Sequence, residues 1–362
     1  MQQQADRILT WRGGVVENSH MIHAAVVDSA QNLLSTVGNV NRLTLARSAA
    51  KPFQALAILE TGAAEKFSPA DIALMCSSHN AETRHVFRAM DMLQRVDSEE
   101  QDLRCGGHAS LSQKVNDSWS AAGFVPTAMY NNCCAKHVGM LAAAKAIGAG
   151  TEGYNDVDHP VQQRFKSVIE ELSAFNADGI FWGIDGCNAP APAMPLDRMA
   201  CMYAALADAA DQNERRVTSP LLRNERLSTI YQAMSTYPEM LAGEARFCTD
   251  LGRTYSGALV GKLGADGCYG VAVKESDSTR RIGAKGAVGI AVKVEDGRID
   301  ILYAAVLEIL KQLHLGSIAI QEKLHEYHSI KLKNTMGIVT GKLSFVMKVQ
   351  SVQDNLATKD LR

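Results

Sequence analysis

The apolar residues of this 362-residue chain change their period twice, and that change limits the fold more than any single motif does. Near the amino end Val15 and Val16, then Ala24 to Val27, then Leu33 and Leu34 read as strands, with Asp28 and Ser29 placed to turn a hairpin. Arg47 to Ala64 reads as a helix that must start near Ser48, because Pro52 is tolerated only in a first turn, and that Gly62 ends. From about 65 to 250 the pattern stays helical, as in Ala135 to Ile147, Val161 to Phe175 and Met194 to Ala210. Between the last two, Gly179 to Pro195 reads as an ordered loop around one short strand, Ile180 to Ile184. Strands return after about 255, at Ala258 to Lys262, Tyr269 to Lys274, Val288 to Val294 and Gly337 to Val349, with a helix from Ile301 to Leu313.

Strands at both ends around a helical middle predict an α+β fold whose antiparallel sheet draws on both termini. The expected organisation is one domain over 1–350. It has a mixed lobe from about 1–60 and 250–350, a helical lobe from about 65–250, and a polar tail at 351–362.

With 46% hydrophobic and 21% charged residues the chain is neither fibrous nor disordered. Its 37 basic residues nearly balance 39 acidic ones, so no global field recruits nucleic acid or an anionic membrane. Met1 to Arg12 lacks the apolar core of a signal peptide, and no run of about 18 apolar residues suggests a membrane span. Eight cysteines follow no repeating frame and read as reduced thiols, which makes a cytoplasmic protein the expectation.

Chemistry concentrates in a few places. Ser48 and Lys51, three apart at a helix start, share one face, so a neutral lysine amine could take the serine's proton. About one such S-x-x-K is expected by chance in a chain of this composition, and this one occurs once. Cys76-Ser77-Ser78-His79-Asn80 supplies S-x-N, whose bland reading is a loop in which Ser78 or Asn80 caps the next helix. Lys262-Leu263-Gly264 is a weak K-x-G on a strand, and the three elements come in the order used by S-x-x-K hydrolases. Separately, Cys133 and His137 stand i, i+4 at a helix start, and with Cys187 they could hold Zn²⁺; buried inert thiols are the plain alternative.

Taken together, R-S-A-A-K-P-F-Q (47–54), S-S-H-N-A-E (77–82), C-G-G-H (105–108), N-N-C-C-A-K-H (131–137), G-x-D-G-C-x-A-P (183–190) and G-K-L-G-A-D-G (261–267) resemble the L-asparaginase II family of the inducible rhizobial type. The opening R-G-G-V-V-E-N-S-H (12–20) joins them, and the likeness runs from about 10 to 345. The resemblance implies a serine-β-lactamase-like and glutaminase-like fold, a homodimer, and hydrolysis of L-asparagine to L-aspartate and ammonia. It places the nucleophile and its lysine on Ser48 and Lys51, a second serine on Ser78 and a second lysine on Lys262. Arg47, His79, Asn80 and Asp185 fall at substrate-binding positions. The zinc ligands fall on Cys133, Lys136 and Cys187, so the resemblance replaces the His137 that spacing alone suggests.

The chain departs from the family pattern at three places. Cys134 and Ala135 stand where small residues such as Ser and Gly are usual, so a second thiol beside Cys133 could compete for metal or oxidise; Asp266 replaces a usual Glu; Gly106-Gly107 replaces the commoner Gly-Pro. Competing readings are a zinc hydrolase in which Ser48 is structural, an amidohydrolase directed at glutamine, and a non-catalytic amino-acid sensor.

Overall fold

The computed structural model describes residues 5–216 and 221–353. They form two compact units. The first takes the described residues up to Ala46, Met194–Asp208 and those from Gly261 on; the second takes Arg47–Ala193 and the described residues of 209–260. The chain is α+β.

The first unit is built on an antiparallel sheet. Its strands run in the order Leu332–Lys333, Val339–Phe345, Arg7–Arg12, Val15–Asp28, Val288–Val294, Cys268–Val273 and Leu259–Gly264. The sequence suggests two separate strands between 15 and 27. Instead one continuous 14-residue strand forms, its first half paired with Arg7–Arg12 and its second with Val288–Val294 and Leu33–Val37. The hairpin after it closes where the buried Asp28 carboxylate accepts from the backbone N–H of Asn32 at 2.8 Å and of Lys285 at 3.0 Å. Arg7–Arg12, polar enough to escape notice in the sequence, is a strand because both its neighbours supply ladder partners.

Val288–Val294 and Cys268–Val273 are buried at every position, the mark of central strands covered on both faces. The helix starting at Leu196 packs on them through glycine: a Cβ on Gly289 would lie 1.9 Å from Ala200 O, and one on Gly270 would lie 2.0 Å from the Tyr203 ring. Met194 itself belongs to the preceding strand, not to the helix the sequence suggests. Ser351, expected in the polar tail, pairs with Ser35 and so joins the sheet; residues 354–362 of that tail lie outside the described residues.

The second unit is helical. At its centre Lys51–Leu59 is buried along its whole length, with Pro52 in the first turn as its missing N–H requires. It ends sooner than the sequence suggests, at Leu59 rather than beside Gly62. Around it lie Pro69–Met75, Cys134–Ala146, Pro160–Ser173 and Leu222–Thr236, with Thr83–Arg95 packed outside them against Cys134–Ala146 and Pro69–Met75. Gly139 lets Cys134–Ala146 approach closely, since a Cβ there would meet Met75 Sδ at 2.5 Å and Ile58 Cδ1 at 2.9 Å.

The stretch 179–195 is more regular than the loop expected of it. Phe181–Ile184 pairs antiparallel with Pro190–Ala193. Prolines at alternate positions lose their N–H groups on one side of a strand only, so the pattern that suggests a loop is compatible with a ladder. Among the described residues no helix is long and apolar enough to cross a membrane.

Candidate active site

The helix Lys51–Leu59 is entered through a tight 3₁₀ turn, Arg47–Ala50, and Ser48 stands half-buried in that turn. Arg47 just before it holds φ at +49°, a left-handed conformation that costs a non-glycine residue energy and must be held by its surroundings. An anchor is Asp185, whose Oδ1 accepts from Arg47 Nε at 2.7 Å and from the Gly186 N–H at 2.8 Å. Arg47 and Asp185, far apart in sequence, thus meet beside Ser48.

Lys51 is fully buried. Its amine donates to Ser77 O, to Ser78 Oγ at 3.2 Å and to Asn132 O at 3.3 Å. Lys51 and Ser78 are therefore in contact, and the hydrogen bonds described for this amine do not include Ser48, one turn away. Lys262 lies in the sheet unit on Leu259–Gly264, buried, with Nζ donating to Leu263 O at 2.6 Å.

The two residues after Ser78 are engaged within the protein. Ala81 N–H donates to His79 Nδ1 at 3.0 Å, so the imidazole proton sits on Nε2, 3.3 Å from Cys134 Sγ. Burial, reinforced by His85, Lys51 and Arg246, pushes the His79 pKa well below its usual value and keeps the ring neutral. Asn80 uses its whole amide: Nδ2 donates to Glu82 Oε1 at 3.1 Å and to Glu244 O at 3.2 Å, and Oδ1 accepts from Arg246 at 2.6 Å. Neither Ser78 nor Asn80 caps the next helix; that place belongs to Glu82, whose N–H donates to His85 Nδ1 at 3.1 Å.

The second cluster centres on Cys187. Lys136 Nζ lies 2.9 Å from its sulfur, and both side chains are buried. A hydrogen bond from Cys133, against the cost of burial, holds the Cys187 pKa well below the usual thiol value, helped by the Lys136 charge. Burial opposes a charge on Lys136, but Cys187 and Cys133 outweigh it and raise its pKa. The hydrogen bond to Cys187, together with burial, raises the Cys133 pKa, and the Cys133 thiol also donates to Asn132 Oδ1 at 3.0 Å. Lys136 and Cys187 each favour the charged form of the other.

His137 borders this cluster. Tyr154 OH, 2.9 Å from the Arg104 N–H that it accepts from, lies 2.7 Å from His137 Nδ1. Among the described residues the buried His137 Nε2 has no partner at strict hydrogen-bonding geometry, but the imidazole interacts with Cys187 and helps hold that thiol's pKa down. Among the described residues no group of three His, Cys, Asp or Glu side chains is arranged to hold a metal ion. The two thiols reach a third donor through Lys136. Two sulfurs and a nitrogen suit Zn²⁺, and loading them would release protons from Cys133 and Lys136.

The departures find places as well. Cys134 is buried and turns to His79 rather than into the Cys133–Cys187 pair. A Cβ on Gly107 would lie 2.2 Å from Pro126 O, so a larger residue has no room there. Asp266 occupies a turn at φ +55°, and its backbone oxygen accepts from Lys293 Nζ at 2.7 Å. Sequence reasoning misses Arg246 and Tyr154, which belong to no recognisable spacing and matter only through what the fold brings to them; Asn132 lies within the 131–137 motif but is given no role there.

No curated protein matches the chain. The family model described as L-asparaginase II matches it over residues 8–345, nearly the whole length, and the chain therefore belongs to the L-asparaginase II family.

Proposed function

We propose that this protein hydrolyses L-asparagine to L-aspartate and ammonia through an ester on Ser48. The observation that supports it best is the buried Lys51 amine, one helical turn from Ser48 and hydrogen-bonded to Ser78 Oγ, in a chain of this family. Lys51, having given up one of its three resting donor contacts to become the free amine, takes the Ser48 proton on its lone pair while Ser48 Oγ attacks the side-chain amide carbon. Backbone N–H groups at the helix entrance stabilise the oxyanion; one such donor is commonly worth about 3 kcal/mol. As the C–N bond breaks, the proton passes from Lys51 through Ser78 Oγ to the departing ammonia. Water then attacks the ester, its proton passing through Ser78 Oγ to Lys51 and on to Ser48 Oγ as that oxygen leaves the acyl carbon, which restores the serine and the free amine and releases aspartate.

Arg47 and Asp185 offer a guanidinium and a carboxylate beside Ser48, which complement the α-carboxylate and α-ammonium of a free amino acid. Lys262 is the second lysine carried over from the family. A serine-β-lactamase-like fold, a homodimer and a cytoplasmic location belong to the same reading. Cys133, Lys136 and Cys187 fit a Zn²⁺ ion. Bound there, it would supply a fixed charge that ties the Cys187 loop to the start of Cys134–Ala146.

A second reading has its own observation: Ser78, the serine in contact with Lys51, is the nucleophile. Ammonia release from L-asparagine and L-glutamine, with zinc and with chelator, tests the function. Intact-mass analysis of quenched Ser48→Ala and Ser78→Ala tests the nucleophile. Ser48→Ala should fold, lose at least about 10³-fold in turnover and carry no ester. Near-normal turnover in Ser48→Ala would discard the scheme, and an ester surviving in it would move the nucleophile to Ser78.

A further inference from the structure

The Ser78 loop is held by a segment of chain that no motif marks. Two backbone bonds dock it, from Ser78 N to Leu241 O at 3.0 Å and from Asn80 N to Ala242 O at 2.9 Å. The same segment then wraps the Asn80 side chain. Glu244 O takes one amide hydrogen at 3.2 Å, Glu244 N–H donates to Glu82 Oε1 at 2.8 Å, and Arg246 donates to Asn80 Oδ1 at 2.6 Å. Arg246 also reaches Ser78 O at 3.4 Å, while Lys51 takes the carbonyl just before it, Ser77 O. The carbonyls of Ser77 and Ser78 are thus held by two different basic side chains, while the Ser78 hydroxyl meets the Lys51 amine.

Gly243 makes this wrapping possible. Its φ is +113°, and a Cβ would stand 2.5 Å from Glu82 Oε1 and 2.7 Å from Asn80 Nδ2. Asn80, with both N–H groups and its oxygen engaged, has no donor left for a substrate carbonyl. Its chemistry is directed inward.

We infer that Arg246, acting through Asn80 and made possible by the turn at Gly243, is a positioning residue that sets the Ser78 hydroxyl on Lys51. The inference rests on the proposed role of Ser78 in proton transfer. Proton relay needs heavy atoms within ordinary hydrogen-bond reach, and Lys51 Nζ–Ser78 Oγ is already 3.2 Å, so a small shift of the loop breaks it. Substrate recognition by Arg47 and Asp185 does not use this segment. Loss of Arg246 therefore acts on turnover and not on affinity.

The test is steady-state ammonia release by the full chain and by Arg246→Ala, Arg246→Lys, Gly243→Ala, Ser78→Ala and the Ser78→Ala/Arg246→Ala pair, with thermal unfolding of each. Arg246→Ala and Gly243→Ala should lower kcat about tenfold or more with KM changed less than about twofold, and Arg246→Lys should recover part of the loss. Arg246→Ala should change little once Ser78 is already alanine. A slow Ser78→Ala beside an unimpaired Arg246→Ala would overturn the inference and leave the proposed function standing. So would equal losses from Arg246→Ala in the two backgrounds, which would make Arg246 a general stabiliser. An unimpaired Ser78→Ala would overturn the proton relay itself, and the inference with it.

Discussion

Replacing Cys187 by alanine isolates the buried Lys136 ammonium and so tests the electrostatics of the thiol cluster directly. At 2.9 Å a unit charge pair in surroundings of effective dielectric about 20 attracts by roughly 6 kcal/mol. Taking both charges out of water offsets much of this, so the intact pair contributes little net stability. Removing one partner is different: the remaining buried charge keeps its desolvation cost and loses its compensation, typically about 3–5 kcal/mol. Cys187→Ala should therefore destabilise the chelator-treated protein by about that much, whereas Lys136→Met, which lets the thiolate become a neutral thiol, should cost only about 1–2 kcal/mol.

The double variant should be more stable than the sum of the two losses predicts by about 2 kcal/mol or more. Denaturant unfolding in the presence of chelator measures all four proteins. Losses that add to within about 0.5 kcal/mol would refute the ion pair. The pH dependence carries a sign. Cys187, with its pKa depressed from 9.0, contributes fully above 9.0, and that contribution is lost as pH falls through its folded value. Lys136, raised from 10.5, contributes fully below 10.5 and loses its contribution as pH rises through its folded value. Stability of the metal-free protein should thus rise towards pH 9, and Cys187→Ala should flatten that rise.

Zinc content follows from the same cluster: Cys187→Ser should lower it, measured by metal analysis after dialysis, and an unchanged content would make the thiols purely structural. Gly289→Ala should cost about 3 kcal/mol in unfolding free energy, because its Cβ would meet the backbone of Ala200 and Ala204, which cannot swing aside. Asp71 is buried against Arg95 at 2.7 Å and Arg88 at 2.9 Å; burial opposes its charge, but these partners and the Ser68 N–H hold its pKa below 3.8. Asp71→Asn should cost about 2–3 kcal/mol near neutrality, and the difference from the parent should fade as pH drops below 3.8 through the folded value.

Much of the scaffold was legible in the residues. Val288 to Val294 reads as a strand and is one, since a run of β-branched residues has little use except between two covered faces. The helix from Cys134 to Ala146 follows from its Ala and Leu content, and Gly148 closes it at φ +68°. The hairpin at 181–193 was harder, because proline reads locally as a loop signal and only the partner strand reveals which edge lost its donors. The continuous strand from Val15 to Asp28 was harder still. Its outer half is exposed and polar, so its strand character comes from Arg7–Arg12 alongside it.

The site divides along the same line. Ser48 beside Lys51 at a helix entrance is a property of neighbouring residues, carried by spacing along one helix; the same kind of spacing offers Cys133 with His137, and only the family resemblance names Lys136 in its place. Which serine the Lys51 amine touches is not such a property. Helix entry fixes only where the lysine starts; the Ser78 loop, the Asn132 carbonyl and the wrapping segment around Gly243 fix where its amine ends. The Cys187–Lys136 charge pair has the same origin, since burial and proximity of residues 51 positions apart decide its protonation. Local sequence determines which groups are on offer. Tertiary structure decides their contacts and charge states, because both depend on distance and desolvation, and neither is a quantity a single stretch of chain possesses.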